Sequence, residues 1–269
     1  MTTTFGDLGR GLKQKELAEV VAKLGRKYLI FSGKGGVGKT TLAVNLAFIL
    51  AKAGRRVGLL DIDLHGPDLA AALYLKAQLK ADEQGRLLPV MAAPNLWVMT
   101  VQYLLNDVNQ AVMWRGPRKI RAIAQFLGET AWPELDYFLI DAPPGTGDET
   151  LTIINLIKDL SALVVVTGHP LALADAHKAI NCLKQANAKI KGLVENQALF
   201  ICPDCRGGTP LHDPENVKTF AKETDLPILA RLPFDPMSAL LAEKLQKPIA
   251  EASPDSALTA ILRDLAISL

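Results

Sequence analysis

Residues 32–41 read SGKGGVGKTT, and this stretch decides the fold. Gly33, Gly38, Lys39 and Thr40 match the pattern G-x-x-x-x-G-K-[ST], directly after the apolar run KYLIF (27–31) and directly before a helical pattern. That strand–loop–helix context is what a phosphate-binding loop requires. Glycines at 33, 35, 36 and 38 let the backbone curl around Val37 so that successive N–H groups point inward at phosphate oxygens, and the helix start at Thr40 and Thr41 adds its dipole. Lys39 then meets the β and γ phosphates of ATP, and Thr40 supplies a hydroxyl to Mg²⁺. The competing reading is a glycine-rich strand-to-helix turn that binds nothing. The loop also carries a second lysine, Lys34, where one is enough to hold a phosphate.

Outward from the loop, short apolar runs alternate with helical patterns: RVGLLD (56–61), LWVMT (96–100), DYFLID (136–141), ALVVVT (162–167), KGLVEN (191–196) and LPILARL (226–232). With KYLIF these make seven strands. Most are continuously apolar and not alternating, as in central parallel strands covered on both faces. Helical segments such as TTLAVNLAFILAKAG, closed by Gly54, and LALADAHKAINCLKQAN fall between them. The expected architecture is α/β, a doubly wound, mostly parallel sheet of about seven strands. Residues 79–95 read as an excursion with a hairpin, residues 1–25 as a helical N-terminal arm, and residues 26–269 as a single ATPase domain.

Composition narrows the function classes. The chain is 269 residues long, 49% apolar and 22% charged, ordinary for a folded globular protein. Thirty basic and 28 acidic residues nearly balance, so charge points to no nucleic acid. No apolar run approaches the ~20 residues that span a bilayer, and no signal peptide is legible, which together suggest no membrane and a cytoplasmic location. The last helical pattern, DSALTAILRDLAISL, carries its apolar face on Leu258, Ile261, Leu262 and Leu265 with only Arg263 as a basic companion, which suits packing on the core better than a membrane surface.

Two further acidic positions belong to the loop's chemistry. The run DYFLIDAPPGTGD ends a strand in Asp141, a second candidate Mg²⁺ group acting through water, with Gly145 where a loop would sense the γ phosphate. DIDLHGPD places Asp61 and Asp63 at the C-terminal edge of the sheet, where one could orient water; the plainer reading is an Asp-rich turn.

Of three cysteines, Cys202 and Cys205 form a Cys-x-x-Cys pair. Two thiolates cannot complete a tetrahedral zinc or a four-iron cluster, which want four ligands. A two-fold dimer would bring the pair together with its copy. Shared iron–sulfur cluster, shared zinc, redox disulfide and no function at all remain open on spacing alone. Cys182, alone in a helical apolar pattern, reads as a core residue, and His65, His169, His177 and His212 show no mutual ligand spacing.

The KGGVGKTT stretch resembles the deviant Walker A ATPases, in which the extra lysine reaches across a nucleotide-sandwich dimer. The resemblance implies that Lys34 acts in trans on the partner's phosphates; the alternative is a solvated surface lysine. GLVENQALFICPDCRGG (192–208), RGP (115–117), DAPPGTGDETLT (141–152), ALADAHKA (172–179) and LPFDP (232–236) together resemble the Mrp/ApbC-type ATPases over residues 26–250. This implies a homodimeric, slowly hydrolysing, ATP-dependent carrier of a labile 4Fe-4S cluster held by Cys202 and Cys205 of both subunits and passed to apo-proteins. It also implies adenine recognition by Asn196 with the backbone of Pro233 to Asp235, and an attacking water placed by Asp63. Zinc at the same pair and a positioning or partition ATPase are the rival functions. The chain departs from the family pattern at Asp68, Gln197 and His169.

Overall fold

The computed structural model describes residues 14–64, 66–104 and 116–269. His65, Arg115 and the first thirteen residues of the N-terminal arm lie outside the described residues.

In chain order, α1 (Gln14–Ala22) leads into β1 (Arg26–Phe31), and α2 (Lys39–Lys52) crosses to β2 (Val57–Asp61). After α3 (Leu69–Ala72) come a short hairpin of β3 (Lys80–Ala81) and β4 (Leu87–Leu88), then β5 (Val90–Ala93) and β6 (Leu96–Met99). Next are α4 (Gly116–Gly128), β7 (Tyr137–Asp141), α5 (Asp148–Leu156), β8 (Ser161–Val166), α6 (Pro170–Gln185) and β9 (Lys189–Glu195). A second hairpin, β10 (Leu199–Ile201) and β11 (Gly208–Pro210), precedes α7 (Pro214–Thr224), β12 (Ile228–Arg231), α8 (Pro236–Leu245), α9 (Ile249–Ala252) and α10 (Ala257–Ser268).

Eight strands form the main sheet in the order β12-β9-β8-β1-β7-β2-β6-β5. All seven expected strands are present and parallel; the eighth, β5, runs antiparallel to β6 along one edge. It comes from the 79–95 excursion, and its four residues VMAA are too short to register as a strand by themselves. β1 lies between β7 and β8, so the chain leaves it in both directions across the sheet, and the crevice at its C-terminal end is where open α/β sheets bind ligands.

The continuous apolar runs have the expected consequence: side chains of β1 feed two separate cores. Phe31 and Leu29 point to one with Ile123 and Phe126 of α4, Ile153 of α5 and Ile180 of α6. Ile30 points to the other with Leu42 and Leu46 of α2 and with Leu258, Leu262 and Leu265 of α10. The terminal helix therefore packs on the core, Ile261 at its margin. Phe126 is fully buried, and its truncation to alanine costs about 3–5 kcal/mol. Leu17, Val20 and Val21 of α1 rest against the first core. Cys182 is only half-buried in α6, so the expectation of a buried core residue is corrected. Its neighbours Ile180 and Leu183 take the interior positions. Among the described residues no helix is long and apolar enough to cross a membrane.

Candidate functional site

The loop between β1 and α2 has the predicted form. Gly36 and Gly38 adopt φ of 77° and 94°, left-handed values that turn successive N–H groups to one side. At Gly38 a Cβ would lie 2.2 Å from Nδ2 of Asn196, and at Gly33 it would lie 2.3 Å from the backbone of Asp175 in α6. Close approach to backbone requires Gly33, and the left-handed φ requires Gly38. Asn196 Nδ2 donates to the Val37 carbonyl at 2.8 Å, so the residue expected to read adenine already touches the loop.

Lys39 is buried, and burial is the main cause lowering its pKa, opposed by the nearby carboxylates of Asp141 and Asp63. Thr40 Oγ1 donates to Asp141 Oδ2 at 2.5 Å. The other carboxylate oxygen of Asp141 is buried without a hydrogen-bond partner. Burial pushes the Asp141 carboxyl up to about 7, with Thr40 and Lys39 pulling it down and Asp63 and Asp68 adding to the rise. A hydroxyl and a buried, half-satisfied carboxylate beside a phosphate loop fit Mg²⁺ and its water shell, because an oxygen-seeking cation satisfies the orphaned atom.

Asp61 sits opposite Asp141 in register on the neighbouring strand. It is buried, and burial together with the Asp141 charge holds its carboxyl well above the usual carboxylate range. It accepts from Thr100 Oγ1 and from the Asp63 backbone N–H, both at 2.9 Å. Asp61 therefore fixes the turn that carries Asp63. The half-buried Asp63 accepts in turn from Gly66 N–H at 3.1 Å, so the Asp-rich turn is real and coexists with a carboxylate close enough to act on Lys39 and Asp141. The loop after β7 is tied to the phosphate loop: Gly145 N–H donates to the Ser32 carbonyl at 3.0 Å, and Ser32 Oγ donates to the Lys34 carbonyl at 2.7 Å. The Lys34 side chain stands exposed at the outer rim.

Cys202 and Cys205 occupy the turn of the β10–β11 hairpin, with Cys202 half-exposed and Cys205 exposed. Cys202 N–H donates to the Gly207 carbonyl and Arg206 N–H to the Cys202 carbonyl, each at 2.9 Å. Hydrogen bonds from the backbone N–H groups of Cys205 and Asp204, and from the Cys205 side chain, hold the Cys202 thiol below its ordinary value, which favours the metal-binding thiolate. Among the described residues no three His, Cys, Asp or Glu side chains gather as a metal site, so one chain offers the pair and no third ligand.

The hairpin is built onto the segment expected to bind adenine. Phe234 N–H donates to the Leu199 carbonyl at 2.7 Å and Ile201 N–H to the Phe234 carbonyl at 2.9 Å. The buried Asp235 caps α8, accepting from Met237 N–H and Ser238 N–H and from Ser238 Oγ, and it pairs with Arg206 of the cysteine turn at 3.5 Å. Sequence reasoning placed Asp235 near the nucleotide by its backbone and missed this side-chain work; the D-P-x-S spacing of a capped helix was the available signal. It also missed the edge-to-face contact of His169 and His212, whose ring centroids are 5.6 Å apart although 43 positions separate them. Asp68 begins α3 without capping it, and Gln197 adopts a left-handed φ of 55°.

Comparison with known proteins shows the family and the fold. The ParA family description "NUBPL iron-transfer P-loop NTPase" matches residues 23–269. The chain belongs to that family. It is 39% identical over 247 residues to a protein of Culex quinquefasciatus named cytosolic Fe-S cluster assembly factor NUBP2 homolog, covering 90% of this chain and 95% of the relative. It is 39% identical over 235 residues to the iron-sulfur cluster carrier protein of Methanocaldococcus jannaschii, covering 86% of this chain and 81% of that one. Among solved structures, a nucleotide-binding protein of Archaeoglobus fulgidus, in complex with ADP and with cobalt, superposes with a TM-score of 0.75 at 34% identity, covering 91% of this chain and 94% of that one. This iron-transfer NTPase thus shares the doubly wound P-loop fold expected of its sequence.

Proposed function

We propose that this protein is an ATP-dependent carrier of an iron–sulfur cluster, active as a homodimer in the cytoplasm, that receives a labile 4Fe-4S cluster and passes it to apo-proteins. One observation carries the reading: the incomplete pair, Cys202 half-exposed and Cys205 exposed, sits on a hairpin whose strand β10 also bonds to Phe234 of the segment expected to take adenine. The names of the relatives support it.

Each part of residues 26–269 then has a task. The backbone from Gly33 through Thr41, with Gly35, Gly36 and Val37 at its crest, cradles the phosphates, and Lys39 neutralises them. Thr40 and Asp141 hold Mg²⁺, which supplies charge neutralisation at the β and γ phosphates. Asn196 and the backbone from Pro233 to Asp235 take the adenine. Asp63, held by Asp61, orients the attacking water. Lys34 reaches the partner's phosphates, so that hydrolysis waits for the closed dimer. In this state two copies of the Cys202–Cys205 turn supply four thiolates to the cargo.

The experiment is anaerobic reconstitution with iron and sulfide. The wild type should be brown and hold about four irons per dimer. Cys202→Ser and Cys205→Ser should each lose iron and transfer while keeping ADP affinity, and Cys182→Ser should keep both. A colourless protein with one zinc per dimer would overturn the carrier reading.

A further inference from the structure

Helix α8 is built inside out. Its sequence, PMSALLAEKL, buries the small residues Ser238 and Ala242 and leaves Met237 48%, Leu240 58%, Leu241 39% and Leu245 48% exposed. Phe234, just before it, is 41% exposed. Helices on a globular surface turn their large apolar side chains inward. Here the inward positions are taken by Ser238 and Ala242, and the large apolar stripe faces out. Beside it opens a hollow of about 490 Å³, walled by α8, by residues 253–256 and by Arg206 of the cysteine turn. The stripe is continuous with the hairpin, since Phe234 exchanges two backbone hydrogen bonds with β10 and Asp235 pairs with Arg206.

We infer that the α8 stripe is the apolar anchor of the homodimer, covered by a second copy of this chain when the two cysteine turns meet. The inference rests on the shared-cluster reading above. Three considerations select a second copy over a transient client. A two-fold axis that joins the two cysteine pairs passes beside the turn, so surface bonded to that turn lies at the interface in both copies. A permanently exposed stripe of five large apolar side chains is a liability for a monomer, whereas interfaces between identical subunits are the more apolar ones. Covering the stripe also contributes on the order of half the ~800 Å² that each partner of a standard interface buries.

The test uses the full chain, reconstituted anaerobically with iron and sulfide, and reads mass in solution, iron content and ADP affinity. Leu240 is exposed, so Leu240→Glu leaves the core intact. It should weaken dimerisation by about tenfold or more and lose iron at concentrations where the wild type keeps it, with ADP affinity unchanged. A second measurement, hydrogen exchange on the wild type, should show residues 236–245 slowed on cluster loading. A Leu240→Glu protein that dimerises and holds iron like the wild type sinks this proposal alone, and so does protection of 236–245 that appears only on adding an apo-client. Wild type that carries its iron as a monomer sinks the shared-cluster reading first, before any α8 variant is made.

Discussion

Thr40 in the first turn of α2 and Asp141 at the end of β7, 101 positions apart in the chain, meet through a 2.5 Å hydrogen bond. The bond places the helix that starts after the phosphate loop in contact with the strand that ends in the second acid. It also leaves one buried Asp141 oxygen without a partner.

Burial pushes the Asp141 carboxyl up to about 7. A raised folded-state pKa means that the folded protein holds the proton more tightly, so stability falls as pH rises from about 4 through 7. Asp141→Asn should therefore be more stable than the wild type at pH 8, by on the order of 2 kcal/mol, with the difference vanishing toward pH 4. Thermal unfolding across that range checks it. On the proposed role of the Asp141 carboxylate at Mg²⁺, wild-type affinity for Mg-nucleotide should fall several-fold from pH 8 to pH 6.

Lys39→Ala should lose nucleotide binding, and Lys34→Ala should keep it and lose hydrolysis. Mixed dimers give the sharper measurement. A Lys34→Ala chain paired with an Asp63→Ala chain has one site with its own Asp63 and the partner's Lys34, and should recover about half the wild-type turnover per dimer. No recovery in proven mixed dimers rules out the role in trans.

Gly38 has no room for a side chain, with a left-handed φ of 94° and Asn196 at its back. Gly38→Ala should lose nucleotide affinity and about 1–3 kcal/mol of stability. Asn196→Ala removes the bond to Val37 and leaves the space; it should bind ADP about tenfold more weakly and retain iron when reconstituted. Titration calorimetry with ADP and iron analysis separate the two outcomes.

Asp235→Ala should remove the cap of α8 and the Arg206 contact together, at about 1–2 kcal/mol of stability. Arg206 has an exposed side chain, so Arg206→Ala should cost much less. Chemical unfolding of both variants decides whether the cap or the ion pair carries the energy.

Much of this was legible in the chain. The phosphate loop, its flanking strand and helix and the Cys-x-x-Cys pair are contiguous patterns whose chemistry follows from neighbours a few residues apart. Parallel strands buried on both faces announce themselves as unbroken apolar runs, and all seven appear where expected. The antiparallel β5 did not, since VMAA owes its place to pairing with β6 and not to its own pattern.

The sequence by itself determined that a sheet of parallel strands would form around a loop able to hold phosphates, because backbone freedom at glycine and the burial of apolar runs are local properties. Only the tertiary structure decided which distant groups meet. Strand order and register set Asp61 against Asp141, and the return of the chain at Phe234 set the cysteine hairpin against the start of α8. The same holds for α8, whose periodicity shows an apolar stripe but not its direction. The tertiary structure buries Ser238 and Ala242 and turns Leu240 outward, because side-chain direction follows from how the helix is docked and not from its own sequence.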